Sequence, residues 1–384
     1  GDVYKRQDLD QSAIDNIRKL AQDLEDRQNQ VDDVSILPKV GLADIPKDVV
    51  TPALTRLDID EQTRHFVGTA GTNGLVYQQI ALKLPVLTPA QQERLPLLCA
   101  LATEVGLGDT PYLEIQDRQS ASVGSLSLSV STRASRSDVN DISGFLVMSS
   151  KALAHKVSDQ TRLMTDTLTA ASFVEGERIR ELVKQIRARR DQSISGAGHS
   201  LAMTAACASM SPLANLYHRQ SGLEGIARLR RLDDSLADPS SLRSLSEELT
   251  ALRTHLLTTS SVNLLTVSDS QNCEASTNQL RSAAHGLTSA GNLQPWSLSE
   301  SAGGSNQIWA ANTQVNFCAK AYPTVSSGHP DAPTLSVLAA YLRNGFLHRS
   351  IREQGGAYGG GASHDGNVGA FRFFSYRDPR NLGT

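Results

Sequence analysis

In Ser350-Ile351-Arg352-Glu353-Gln354-Gly355-Gly356-Ala357-Tyr358-Gly359-Gly360-Gly361 a helical pattern ends and an extended one begins. Upstream, Leu335, Leu338, Leu342 and Phe346 recur at helical spacing, with Ala339 and Ile351 on the same side. Arg352 falls in the expected last turn, where a cation suits the negative end of the helix dipole. Gly355-Gly356 stops the helix, because glycine takes the left-handed cap conformation without steric cost. Ala357 and Tyr358 open an extended segment. Downstream, Gly369 to Arg377 alternates and is aromatic-rich, which predicts a strand. Asp365-Gly366-Asn367 supplies the turn between the two strands. The pattern therefore brings Arg352 and Tyr358 together at a helix-to-strand corner.

Outward from that corner, the chain divides into segments. Residues 8–59 read as a helix (Ile14, Ile17, Ala21 and Leu24 on one face) followed by a connector punctuated by Pro38, Pro46 and Pro52. Residues 60–260 read as a first α+β domain. Thr63 to Thr69 and Leu75 to Leu84 are strands around Gly71-Thr72-Asn73-Gly74, a hairpin signal. Ala121 to Thr132 and Gly144 to Ser149 are further strands. Helices are expected over Pro89 to Val105, Ala152 to Ala171, Glu175 to Arg190, Ser200 to Ala208, Leu223 to Leu232 and Ser241 to Leu257. Residues 261–384 read as a second α+β domain, opening with the strand Val262 to Val267 and the helix Cys273 to His285. Ile308 to Ala319 and the corner hairpin follow. Strands come in runs before helices rather than in βαβ alternation. The expected fold is thus α+β, two successive domains of mainly antiparallel sheet packed by helices and preceded by a linker helix. The second domain partly echoes the order of the first, as a duplicated unit would.

Bulk properties narrow the function. A net charge of -3 and a pI of 6.3 give no footprint for nucleic acid or an anionic membrane. No apolar run approaches the length of a membrane span. Cys99, Cys207, Cys273 and Cys318 are scattered without C-x-x-C spacing, which favours buried thiols in a reducing, soluble compartment. Residues 1–7 resemble translated sequencing adaptor and are set aside; the second domain is expected to be incomplete at its C-terminal end.

Arg352-x-x-Gly-Gly-Ala-Tyr358-Gly, with Phe-Ser-Tyr376-Arg377-Asp378-Pro379 after it, resembles the C-terminal half of the pitrilysin/insulinase class of zinc metallopeptidases. Within that class it is most similar to the presequence-protease and falcilysin branch. Leu37-Pro38 with Asp44-Ile45-Pro46, Thr72-Asn73-Gly74-Leu75-Val76-Tyr77, and Gly198-His199-Ser200-Leu201-Ala202 stand in the branch's order, so the resemblance runs from Leu9 to Thr384. It implies one half of a clamshell that encloses unfolded peptides. Zinc and the general base are implied for a missing N-terminal half, fused or separate, and no cofactor for this chain. This half is implied to supply chamber wall and the pair Arg352 and Tyr358 as hydrogen-bond donors to the substrate carbonyl, and to be inactive alone. Gly359, Gly360 and Gly361 would let a substrate strand approach closely. The expected partners are peptide substrates and the other half, with no nucleic acid and no membrane. The compartment is cytoplasmic, or an organelle matrix in a eukaryote. The alternative is a non-catalytic scaffold or peptide-binding subunit of the same fold class.

Other chemistry is weaker. None of the nine histidines stands in H-x-x-E-H or H-E-x-x-H spacing. His348, Glu353, His364 and Asp365 are near one another in sequence but match no ligand pattern. Gly198-His199-Ser200-Leu201-Ala202 approaches a nucleophile elbow but lacks the final glycine and the preceding strand. The glycines after Tyr358 lack the Gly-Lys-Ser/Thr of a phosphate loop. Arg187 to Arg190 reads as a solvated helix face.

Overall fold

The computed structural model describes residues 10–29, 33–36, 38–258, 261–287, 296–298 and 306–379. The expectations for residues 1–7, Leu37 and Asn381 to Thr384 lie outside these. Two compact units are present, Gly1–Pro52 and Ala53–Thr384. In the first, α1 (Gln11–Asn29) starts where the Asp10 carboxylate accepts the Ala13 N–H at 2.7 Å. Its Ile17 and Leu20 are exposed. Two short 3-10 turns follow within the proline-punctuated connector.

The second unit runs β1 (Leu54–Asp58), β2 (Thr63–Thr69), β3 (Leu75–Lys83), α2 (Pro89–Ala102), β4 (Gly106–Leu107), α3 (Tyr112–Ser122), β5 (Ser125–Ala134), β6 (Ile142–Leu153), α4 (Val157–Ala170), β7 (Ala171–Ser172), α5 (Gly176–Gly196), α6 (Gly198–Cys207), α7 (Pro212–Gln220), α8 (Leu223–Ser235) and α9 (Pro239–Leu256). After these come β8 (Val262–Ser268), α10 (Ser270–Ala284), β9 (Asn316–Pro323), α11 (Ala332–Leu342), a π-helix (Arg343–Gln354), β10 (Gly359–Asp365) and β11 (Ala370–Asp378). The fold is α+β, as the strand and helix runs predict.

One sheet has the order β1-β2-β8-β3-β6-β5 among the described residues. Its pairs are antiparallel except β2 with β8. The expected hairpin of β2 and β3 is therefore not formed. β8 lies between them, parallel to β2 and antiparallel to β3. Val262, Leu264, Thr266 and Ser268 of β8 are all buried, as a central strand with one packed face requires. The Gly71 to Gly74 turn is still a turn, with Asn73 at φ 55 and Gly74 at φ 78. Its anchor is Asp269, whose carboxylate accepts the Thr72 and Gly74 N–H groups at 2.8 and 2.6 Å. The same insertion affects the expected division at 260/261. Val262–Ser268 belongs to the first sheet, and the sheet itself begins at Leu54 rather than after Asp60.

Helices α4 and α10 pack on the buried face of this sheet, and α2 covers β5. Ile80, Leu82, Met148, Met164, Leu168 and Ile179 are at the centre of the core. Each such side chain contributes about 1.5–3 kcal/mol on burial. A polar row interrupts it: His65 meets Thr266 at 2.9 Å, and Gln78 bonds Thr161 and the Ser276 carbonyl. The opposite face alternates to half-buried and exposed positions, among them Tyr77.

The second sheet, β10-β11-β9, carries the corner. Its own small core is Ala339, Leu347, Ala362 and Phe371. Helix α6 packs on β9 and β11, and only glycine fits at 198, since a Cβ there would lie 2.4 Å from the Phe317 ring. The β10–β11 turn is tied to the first sheet by Asn367, which accepts the Ala134 N–H at 2.9 Å and donates to the Tyr217 hydroxyl at 3.3 Å.

Candidate active site

The helix leading into the corner departs from the predicted pattern. From Arg343 to Gln354 it is a π-helix, whose i→i+5 bonds widen each turn by about one residue. This breaks the predicted apolar face. Phe346 is 69% exposed, while Leu347 is buried in its place and packs with Ile351 against β10. The widening thus resets which side chains face the sheet just before Arg352. The helix ends as predicted at the double glycine: Gly356 takes φ +72, and the Ala357 N–H reaches back to the Ile351 carbonyl at 3.1 Å. Ala357 is buried, which turns Tyr358 outward, 55% exposed.

Arg352 and Tyr358 do meet. The Arg352 guanidinium carbon lies 5.5 Å from the centre of the Tyr358 ring. A third residue joins them: the Arg377 guanidinium lies 5.2 Å from the same ring. Each cation–π contact at an exposed site is worth about 0.5–1 kcal/mol. Arg377 arrives there through backbone geometry. It has φ 54, at a register shift between Tyr376 and Asp378 in the pairing of β11 with β9. A bulge of this kind re-aims a side chain. Asp378 beyond it is buried and accepts the Ser375 hydroxyl at 2.7 Å.

Among the described residues, neither guanidinium has a carboxylate partner and the Tyr358 hydroxyl has no hydrogen bond. Glu353, the nearest acid in sequence, pairs with His348 at 3.4 Å instead. The corner therefore presents two cationic donors and a phenol with their hydrogen-bonding capacity unused.

Behind Tyr358 stands a run of rings. Tyr376 is 5.7 Å from it, His199 is 5.0 Å from Tyr376, and Phe374 is 5.5 Å from His199. Burial holds the His199 pKa below its usual value, so the imidazole is a neutral packing ring. This gives the Gly198-His199-Ser200 segment its structural role, and Ser200 lies in a helix with no strand ahead of it.

Gly359, Gly360 and Gly361 lie on β10 beside this cluster. A Cβ on Gly359 would be 2.5 Å from the Tyr376 hydroxyl oxygen, and one on Gly360 would be 2.7 Å from Ile351 Cδ1. On Gly361 it would meet Arg343 and Phe374 at 3.1 Å. Each glycine makes room for a side chain of this chain. β10 is nonetheless an edge strand among the described residues, with β11 as its one neighbour.

The donor set does not fit zinc. His348 is with Glu353, His364 Nε2 is 3.3 Å from the Val325 carbonyl, and Asp365 holds Arg372 at 3.2 Å. Among the described residues no three of His, Cys, Asp and Glu gather as a metal group.

The fold and corner define an M16-type peptidase domain. The peptidase-associated family of M16 subfamily C matches residues 4–232, and the PreP C-terminal domain matches residues 306–384. The chain belongs to this family and is the C-terminal half of a presequence-protease-like M16 peptidase. It is 29% identical over 381 residues to the mitochondrial presequence protease of Yarrowia lipolytica, covering 97% of this chain and 37% of that protein. The mitochondrial presequence protease of Xenopus laevis is 26% identical over 392 residues, covering 93% of this chain and 37% of the relative. The chain thus spans little more than a third of the length of these relatives. In fold it is similar to a conserved protein from Enterococcus faecalis, with TM-score 0.57 at 14% identity over 84% of this chain and 75% of that one. It is also similar to a peptidase M16 inactive domain from Pseudomonas fluorescens, with TM-score 0.50 at 12% identity, covering 84% and 73%.

Proposed function

We propose that this chain is the zinc-free half of a zinc endopeptidase that degrades unfolded peptides inside a closed chamber. The observation that carries the reading is the set of unpaired donors at one corner, Arg352, Tyr358 and Arg377. An oxyanion forming at a peptide carbonyl needs such donors, aimed in advance and free of competing partners. In this reading Arg352 donates an N–H and Tyr358 its O–H to the carbonyl oxygen of the scissile bond. Both bonds strengthen as charge builds on that oxygen. Arg377 keeps the local potential positive and braces the Tyr358 ring. The edge of β10 at Gly359, Gly360 and Gly361 offers backbone groups to an extended substrate.

Zinc, supplied by the other half, would provide an activated water. No step assigned to this chain passes through it. The partners are then peptide substrates and an N-terminal half, fused or separate. The curated relatives are named as mitochondrial or chloroplastic, and an organelle matrix is the proposed compartment for a eukaryotic source. The test is reconstitution. Mixed with the zinc-bearing half of a presequence protease, the chain should restore hydrolysis of an unfolded peptide. Neither part should act alone, and activity of this chain by itself would overturn the reading.

A further inference from the structure

A second site lies away from the corner, among the helices α2, α5, α7 and α8. They enclose a cavity of about 130 Å³ whose apolar lining includes Leu97, Ile186 and Leu229. Its polar lining includes four arginines, Arg94, Arg190, Arg219 and Arg228, against one carboxylate, Glu93. Three of the arginines are spoken for. Arg94 pairs with Glu248 at 3.0 Å, and Arg219 and Arg228 both bond Glu93. Arg190 has no ion pair among the described residues, although it lines the same cavity.

The cavity is held open by a break in α2. Pro96 has no N–H to give the Gln92 carbonyl, so that carbonyl is bonded instead by the Gln220 side-chain amide at 2.7 Å. The start of α8 then passes so near that a Cβ on Gly225 would lie 2.5 Å from the Gln220 carbonyl. The polar atoms are satisfied by the walls, and the apolar floor and the Arg190 guanidinium are left.

We propose that this pocket binds the C-terminal residue of a peptide, with its carboxylate on Arg190 and its apolar side chain on the floor. The volume argues for one side chain rather than a long acyl tail, since a cavity of about 150 Å³ accommodates a benzene ring. The excess of guanidinium argues for an anion, and arginine is the preferred partner of a carboxylate. Glu93 is already engaged by two arginines, so no acceptor is free for an ammonium. This selects an N-acylated residue, as at a peptide terminus, over a free amino acid. The carboxylate-and-apolar chemistry stands on the cavity alone; the peptide identity rests on the peptidase reading.

The test is calorimetric titration of the full chain with N-acetyl-leucine and with its amide. The acid is expected to bind saturably, and the amide about tenfold more weakly or worse, the size of one charge-assisted hydrogen bond. Arg190→Gln should abolish binding of the acid with the far-ultraviolet circular dichroism unchanged. Ala100→Phe, at an exposed position on the cavity rim, should block it without altering charge. Tyr358→Phe should leave it intact, so that failure here and failure of the corner reading are separable. Absence of binding, equal binding of acid and amide, or binding that survives both pocket variants would overturn the proposal. So would binding that is lost in Tyr358→Phe.

Discussion

The Arg377 guanidinium lies closer to the Tyr358 ring than the Arg352 guanidinium does, 5.2 Å against 5.5 Å, although Arg352 is the nearer of the two in sequence. A residue on a strand bulge thus completes a corner built by a helix end. The phenol is held between two cations with its hydroxyl free.

The bulge makes Arg377 separable from stability. Its φ of 54 lies in the left-handed region, which costs a non-glycine residue about 1–2 kcal/mol. Arg377→Gly relieves that cost and loses a cation–π contact of about 0.5–1 kcal/mol. Urea denaturation of the chain is expected to show stability unchanged or raised. Turnover of the reconstituted enzyme should nevertheless fall. A loss of stability with turnover intact would make Arg377 structural only.

Gly359→Ala tests the ring stack behind the phenol. The added methyl would sit 2.5 Å from the Tyr376 hydroxyl oxygen, so Tyr376 must move. Overpacking of this kind costs about 1–3 kcal/mol. The shift should pass to Tyr358 through the 5.7 Å ring contact and lower turnover. Aromatic proton chemical shifts of Tyr358 identical to those of the parent would contradict the coupling.

His65 sets the acid limit of the first sheet. Burial, with the positive charge of Arg281 nearby, lowers its pKa from 6.5 to about 4. The folded chain therefore binds fewer protons at this site than the unfolded chain does. Its contribution is present above pH 6.5 and is lost as pH falls from 6.5 towards 4. His65→Gln, which keeps a side-chain donor for Thr266, should flatten the fall of the urea midpoint across that window. An unchanged pH profile would assign the acid sensitivity elsewhere.

The Arg352 and Tyr358 corner is legible in the sequence because its causes are local: an apolar helix, a double-glycine stop and an aromatic strand follow one another in a single stretch of chain. Arg377 stands in the same motif, but its place over Tyr358 depends on a bulge that no local pattern announces. The β2–β3 hairpin signal is locally sound, and its turn forms. What the local pattern cannot carry is that β8, far along the chain, has an alternation that fits between the two strands. A helical period assigns Phe346 to the core, and the π-helix does not keep that period. Arg190 reads as part of a solvated face, since its cavity exists only where four helices meet.

The most direct measurement is steady-state hydrolysis of an unfolded peptide by the reconstituted enzyme carrying Tyr358→Phe. Removing one oxyanion donor is expected to lower kcat about 10²–10³-fold while KM stays within a few-fold. The exposed position of the ring means that folding should be unaffected. An unchanged kcat, or a rise in KM alone, would contradict the assignment of Tyr358 as a donor to the developing oxyanion.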